Sequence, residues 1–132
     1  MPWIVANIKW IMIIAGVLTS TMVYAVIAPQ AALESTFGEA LAGPVSEVVV
    51  RNWGALIAMG GLMLIYGAFH PPVRGIVLAF TGAGKAIFVG LVLAHGGRFL
   101  GYQAGVAVAI DSLMVLLFAW YLLSYRAMKT RV

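Results

Sequence analysis

The sequence predicts an all-α integral membrane protein in which four helices form a bundle. Of its 132 residues 64% are hydrophobic and only 9% are charged, so polar side chains are too few to cover a water-soluble domain. Four stretches are almost free of charge, and each approaches the roughly 20 residues that a helix needs to cross a bilayer. We therefore expect residues 1–132 to form a single membrane domain.

The first predicted span covers residues 10–28 and carries no charged side chain. Lys9 precedes it, so the segment resembles a signal peptide at first sight. Pro29 would then occupy the position just after the cleavage site, which argues against cleavage. We interpret the segment as a retained transmembrane helix.

The connection over residues 29–52 is the longest predicted loop. Its small amphipathic pattern predicts a short helix at the membrane surface over residues 31–41. Gly43 and Pro44 are expected to end this helix, because both residues break regular helical structure. The loop is expected to lie on the outer side of the membrane.

Three further spans are predicted at residues 46–69, 75–94 and 103–124. Two prolines and Arg74 predict a tight turn between the second and third spans. Glycines and Arg98 indicate a loop between the third and fourth spans. No strand pattern or internal repeat is convincing.

Basic residues predict the orientation of the bundle. Four spans place both termini on one side, and loops rich in Lys and Arg stay in the cytoplasm. If the protein lies in a bacterial inner membrane with its termini in the cytoplasm, five cations of the loops and termini are on the cytoplasmic side and two are on the outer side. The five are Lys9, Arg74, Arg126, Lys129 and Arg131, and the two are Arg51 and Arg98.

The string Gly82-Ala83-Gly84-Lys85 resembles the end of a phosphate-binding loop, but the pattern fails. Ala79 stands where that loop needs its first glycine, and Ala86 stands where it needs a hydroxyl. Lys85 instead lies ten residues into the third predicted helix, about 15 Å from its end and near the centre of a roughly 30 Å hydrocarbon core. It is interpreted as an intramembrane lysine.

An intramembrane charge needs a partner, and Asp111 is the acid at a matching depth in the fourth span. A structural interpretation is that Lys85 and Asp111 neutralise each other and fix the register of two helices, so that loss of one partner costs about 3–5 kcal/mol. A functional interpretation is a ligand or proton site, which intramembrane ionisable residues often mark. Hydroxyls expected at the same level are Thr19, Ser20, Thr21, Thr81 and Ser112.

A second polar cluster is predicted near the outer face. Glu47 and Arg51 are four positions apart with the acid first, the favourable order for an ion pair on a helix. The cluster is interpreted either as an interfacial anchor or as a gate that accepts anions. Side chains expected close to this pair are Asn52, Trp53, His95 and Arg98.

Small residues recur about every four positions in three of the predicted helices, which permits close backbone approach. The simplest interpretation is contact between helices of one chain, and the alternative is a seam between copies. The stripes are Gly54, Ala58 and Gly61 in the second helix, Gly82, Ala86, Gly90 and Ala94 in the third, and Gly101, Gly105 and Ala109 in the fourth.

Several chemistries lack the residues they need. The chain has no cysteine, which excludes thiolate nucleophiles, disulfide exchange and Cys-ligated metals. His70 and His95 lie near span ends on opposite sides, which argues against a bis-histidine haem. The cations are dispersed, which argues against nucleic acid binding. We expect no catalytic residue, metal or cofactor.

Residues 50–96 resemble the core of a family of small bacterial four-helix membrane proteins that is DoxX-like in outline. The resemblance lies in Arg51-Asn52-Trp53-Gly54, in Gly67-Ala68-Phe69 and in Lys85. It implies four spans and assigns no catalytic residue. Some DoxX-like proteins are associated with quinone-linked sulfur oxidation or serve as membrane partners of other proteins.

Two functions remain open at this point. The first is a non-enzymatic accessory or scaffold subunit that binds a second copy or another membrane protein through a small-residue face or through the loop at residues 29–52. The alternative is a protein that binds a small molecule or a lipophile such as a lipid or quinone, or a proton-coupled carrier, through Lys85 and Asp111. The small multidrug carriers are disfavoured, because they rely on a glutamate in the first helix and the first span has none.

Overall fold

The computed structural model describes residues 2–130, and within that range all regular secondary structure is helical. Four helical segments are long and apolar enough to cross a membrane, which confirms the predicted all-α class and the number of candidate spans. These segments are Trp3–Ile27, Pro44–Phe69, Pro71–Leu93 and Gln103–Arg126.

The first span consists of three consecutive pieces, and a short helix follows it before the second span. The elements are α1 (Pro2–Ser20), a 3-10 turn (Thr21–Val23), α2 (Tyr24–Ile27), α3 (Pro29–Phe37), α4 (Pro44–Phe69), α5 (Pro71–Leu93) and α6 (Gln103–Thr130). We call the half of the bundle that contains the start of α1 and the α4–α5 turn the terminal half. The opposite half, with α3 and the segments 38–43 and 94–102, is the loop half.

Proline marks where three of these helices begin. Pro29, Pro44 and Pro71 each occupy the first turn of α3, α4 or α5. Proline suits this position because its fixed φ is helical and its missing N–H would have no intrahelical partner. The predicted start of the third span at residue 75 was therefore wrong, since the prolines begin the helix.

The first helix is longer than predicted, because it begins at Pro2 and not at residue 10. Lys9 lies within this helix and does not mark its start. The Lys9 ammonium lies 4.7 Å from the ring centre of Phe69 and 5.5 Å from that of Trp10. These cation–π contacts, together with the flexible side chain of lysine, accommodate its charge while the helix continues.

The short helix predicted over residues 31–41 is α3, which ends earlier than expected. Gly38 adopts a left-handed φ of 79° and donates its N–H to the Glu34 carbonyl, so it terminates the helix as an αL cap. Ala32 and Leu33 are buried, which shows that one face of α3 packs against the bundle.

The helices α1 and α4 approach each other closely at Gly16 and Gly61. A methyl group built on Gly16 would lie 2.6 Å from the Gly61 carbonyl oxygen, so no larger residue fits there without movement. The principal core lies in the terminal half below this contact. Its largest fully buried side chains are Phe118, Met12, Leu64 and Leu78.

Candidate functional site

Lys85 on α5 is the centre of the candidate site, and its residue surface is only 9% exposed. Its Nζ donates to Asp111 Oδ1 on α6 at 3.0 Å and to Thr19 Oγ1 on α1 at 2.9 Å. The predicted ion pair is therefore present. One ammonium group thus links three helices at a common level.

Thr19 is oriented by its own helix. Its hydroxyl accepts the Lys85 hydrogen bond and donates to the Ala15 carbonyl at 2.6 Å. Thr21 similarly donates to the Leu18 carbonyl at 2.6 Å. Such bonds to the preceding turn perturb regular α-helical geometry, and the 3-10 turn at Thr21–Val23 follows directly.

The ion pair is enclosed by the three helices. The Lys85 and Asp111 side chains are only 10% and 18% exposed. Opposite charges at this distance compensate each other's desolvation only while both are present. The arrangement can therefore hold three helices in register, and it leaves a single ammonium N–H and the second carboxylate oxygen for any other partner.

The other predicted hydroxyls do not join the Lys85 ammonium. Thr81 donates to the Val77 carbonyl on its own helix. Ser20 Oγ is buried without a hydrogen-bond partner and faces Gly61 on α4. Among the described residues the Ser112 hydroxyl has no hydrogen-bond partner, and Ser112 is turned about 100° around the helix from Asp111. The polar layer is narrower than the sequence predicted.

The predicted ion pair between Glu47 and Arg51 is wrong. Arg51 Nη1 instead donates to the Val26 carbonyl at 2.6 Å. Pro29 interrupts the helix, so the Val26 carbonyl has no intrahelical donor and Arg51 caps it. Glu47 is exposed in the first turn of α4, where the helix dipole favours a negative charge.

Of the other residues predicted in this cluster, Asn52 is exposed next to Arg51, and Arg98 does not contact Glu47. The Arg98 guanidinium forms an exposed ion pair with Glu39, which ties the segment 38–43 to the segment 94–102. The sequence analysis missed this pair because the two residues are 59 positions apart. Exposed pairs contribute little to stability, so its effect is on loop position.

A hydroxyl cluster in the loop half was also missed. The Tyr24 hydroxyl lies 2.9 Å from Ser35 Oγ, 3.5 Å from Thr36 Oγ1 and 3.4 Å from Gln103 Oε1. These residues bring α2, α3 and α6 together. The sequence signal for this cluster was Tyr24, a tyrosine near the end of a span. Such a position indicates the membrane boundary and does not predict a hydroxyl cluster.

An aromatic cavity of about 300 Å³ lies in the loop half. Trp53 and His95, which were expected to lie near each other, both line it. Neither Lys85 nor Asp111 does, so this space is separate from the ion pair. Its complete lining is Phe37, Trp53, Phe88, Leu91, Val92, His95 and Phe99.

Within residues 2–130 no group of three or more His, Asp or Glu side chains is arranged to hold a metal ion. Comparison of the chain with models of protein families, with curated proteins and with solved structures found no match. The site must therefore be interpreted from its own chemistry.

Proposed function

We propose that this protein is a non-enzymatic accessory or scaffold subunit of a membrane assembly, and that α5 docks a transmembrane helix of another subunit. The observation that carries this proposal is the outward face of α5. Five exposed small residues share this face, Gly75, Ala79, Ala83, Ala86 and Gly90.

These five residues form one continuous strip. At 3.6 residues per turn they fall within an arc of about 80° and extend over about 22 Å of the helix. Val77 and Thr81 are buried on the opposite side of α5. Small side chains let another helix approach closely, and close packing drives helix association in membranes.

The same strip has no packing role within the chain. A methyl group built on Gly75 or Gly90 would meet no atom within 4 Å. The expectation that the stripe of the third span packs inside the bundle was therefore wrong for Gly90, whereas a methyl group built on Gly82 would lie 3.7 Å from Phe118. Bulky side chains cover the adjacent exposed positions of α5, at Ile76, Phe80 and Ile87.

The buried ion pair supports the same proposal. Lys85 is bound to Asp111 and Thr19, and the aromatic cavity does not reach it. We assign the pair a structural function, in which it fixes the register of α1, α5 and α6. A proton-coupled carrier would need this pair to exchange protons with water, and its burial disfavours such exchange.

We further propose that the protein lies in a bacterial inner membrane with its termini in the cytoplasm. Lys9, Arg74 and Arg126 belong to the terminal half, whereas Arg51 and Arg98 belong to the loop half. The excess of basic residues on the terminal side supports this orientation. The side chains of Lys129 and Arg131, which contributed to the predicted excess, lie outside the described part of the chain.

The docking face can be tested with a bulky substitution. Ala86→Leu places a large side chain at the centre of the strip, while Ala119→Leu makes the same change at an exposed position of α6. We expect blue-native electrophoresis of gently solubilised membranes to show loss of the assembly for Ala86→Leu and retention for Ala119→Leu. An assembly that survives Ala86→Leu would contradict the proposal.

A further inference from the structure

We propose that the aromatic cavity in the loop half binds the ring system of a hydroxylated aromatic lipophile that enters from the bilayer. This site is separate from the docking face and from the buried ion pair. The inference goes beyond the proposed function, and it rests on the lining, size, depth and polarity of the cavity.

Four aromatic rings form a continuous arc along the cavity. The ring centres of Trp53 and Phe37 are 6.1 Å apart, and Phe37 meets Phe99 edge to face at 5.3 Å. Phe99 then contacts His95 at 5.6 Å. Aromatic rings favour stacked and edge-to-face contacts with other rings, so this lining favours an aromatic ligand over an acyl chain.

The arc is assembled from separate segments that other contacts hold together. Phe37 ends α3, and Phe99 belongs to the segment 94–102. The ion pair between Glu39 and Arg98 joins the chain just after Phe37 to the chain just before Phe99. Arg98 also lies over the Phe99 ring, 5.4 Å from its centre. These contacts place Phe37 and Phe99 beside each other in the fold.

The cavity opens toward lipid. Leu91, on its wall, is 63% exposed on the outer surface of α5. Val92, also on the wall, lies one residue before the end of α5, about 15 Å from the midpoint of that helix at residue 82. That depth corresponds to the loop-side edge of a hydrocarbon core of about 30 Å. A ligand would consequently arrive by way of the membrane.

The volume of this open cavity suits a small ring system. An apolar cavity of about 150 Å³ accommodates benzene. The present cavity of about 300 Å³ therefore has room for about two fused rings. A longer lipophilic tail would remain in the bilayer beside Leu91.

His95 provides a hydrogen-bond acceptor for a ligand in the cavity. Its Nδ1 lies 3.0 Å from the Leu91 carbonyl oxygen. Because a carbonyl oxygen only accepts hydrogen bonds, Nδ1 carries the proton, and Nε2 of the neutral ring is an acceptor. Apart from the indole N–H of Trp53, the lining is apolar, and the His95 acceptor favours a ligand that donates a hydrogen bond, such as a phenolic hydroxyl.

The test uses 6-bromo-2-naphthol and 2-bromonaphthalene, which differ in the hydroxyl and quench tryptophan at short range. Trp3, Trp10 and Trp120 are exposed, so replacing them with Phe leaves Trp53 as the single reporter in lipid nanodiscs. We expect saturable quenching by both probes, with the naphthol binding about five- to tenfold more tightly, as one hydrogen bond provides.

His95→Phe keeps the ring and removes the acceptor, so it should reduce naphthol affinity about five- to tenfold and leave bromonaphthalene unchanged. His70→Phe is the matched control, because His70 Nδ1 makes the same contact to the Tyr66 carbonyl at 2.9 Å in the terminal half. We expect His70→Phe to leave both affinities unchanged. If His95→Phe fails to fold, the proposal is tested by the difference in affinity between the two probes for the single-tryptophan protein.

Two results would overturn the proposal. One is quenching that rises linearly with the amount of probe in the lipid and does not differ between the two probes. The other is strong quenching by phospholipids brominated on their acyl chains that neither probe displaces, which would assign the cavity to an acyl chain. Both results are independent of the proposed docking face. Ala86→Leu, the test of that face, changes a different side of α5 from the one that lines the cavity.

Discussion

The Lys85 ammonium donates to the Thr19 hydroxyl at 2.9 Å, so the buried charge pair joins α1 as well as α6 to α5. The first span is thereby fixed at the level where its helix changes from α to 3-10 geometry. This hydrogen bond extends the structural role proposed for the ion pair from two helices to three.

Removing one member of the ion pair should destabilise the protein strongly. Lys85→Met leaves the Asp111 carboxylate buried without its partner, and we expect a loss of about 3–5 kcal/mol in the free energy of unfolding. The double variant Lys85→Met, Asp111→Leu should recover most of this loss, because no unpaired charge remains. Steric trapping in bicelles measures these values. Equal losses in the single and double variants would contradict the structural interpretation.

The hydroxyl of Thr19 should contribute through its bond to a charged donor. Thr19→Val keeps the shape of the side chain and removes the acceptor, and we expect a loss of about 1–2 kcal/mol in unfolding free energy. Thr21→Val is the control, since Thr21 is exposed and bonds only to its own helix. The same loss in both variants would show that the Lys85 contact is not the cause.

Two adjacent glycines of α4 should respond oppositely to alanine. A methyl group on Gly61 would lie 2.6 Å from the Ser20 nitrogen and 2.7 Å from the Gly16 carbonyl oxygen, so Gly61→Ala should cost about 1–3 kcal/mol as the helices separate. On Gly60 the nearest atom, in Thr81, is 3.8 Å away. Gly60→Ala should be neutral or stabilising by up to about 1 kcal/mol. Equal effects at both positions would contradict the close α1–α4 contact.

Arg51 should act on the backbone of the first span and not on Glu47. Arg51→Leu removes the donor to the Val26 carbonyl and should cost about 1–2 kcal/mol in unfolding free energy. Glu47→Gln should have no measurable effect. A double-mutant cycle of the two substitutions is expected to give no coupling, and a coupling energy above about 0.5 kcal/mol would restore the ion pair that the sequence predicted.

The parts of the fold that depend on local pattern could be predicted from the sequence. The four spans follow from hydropathy and length, and the depth of Lys85 and Asp111 along their helices was enough to pair them. The start of α5 was missed because Pro71 was interpreted as a loop residue, although proline equally suits a first helical turn.

The remaining features depend on tertiary contacts. The small residues of α5 were predicted to pack inside the bundle, yet their spacing does not indicate which face meets a neighbour, and Ala86 and Gly90 face outward. The aromatic cavity could not be predicted, since Phe37, Trp53 and Phe99 come from distant positions in the chain. The DoxX-like resemblance stays a prediction.

The most direct test of the central claim is native mass spectrometry of the protein released gently from its own membrane, compared with the Lys85→Met, Asp111→Leu variant. If the protein is an accessory subunit with a structural ion pair, a second polypeptide, either another copy or a different chain, will be retained equally by both forms. A bound small molecule that the variant loses, with no second polypeptide in either form, would contradict the account and assign a binding function to Lys85 and Asp111.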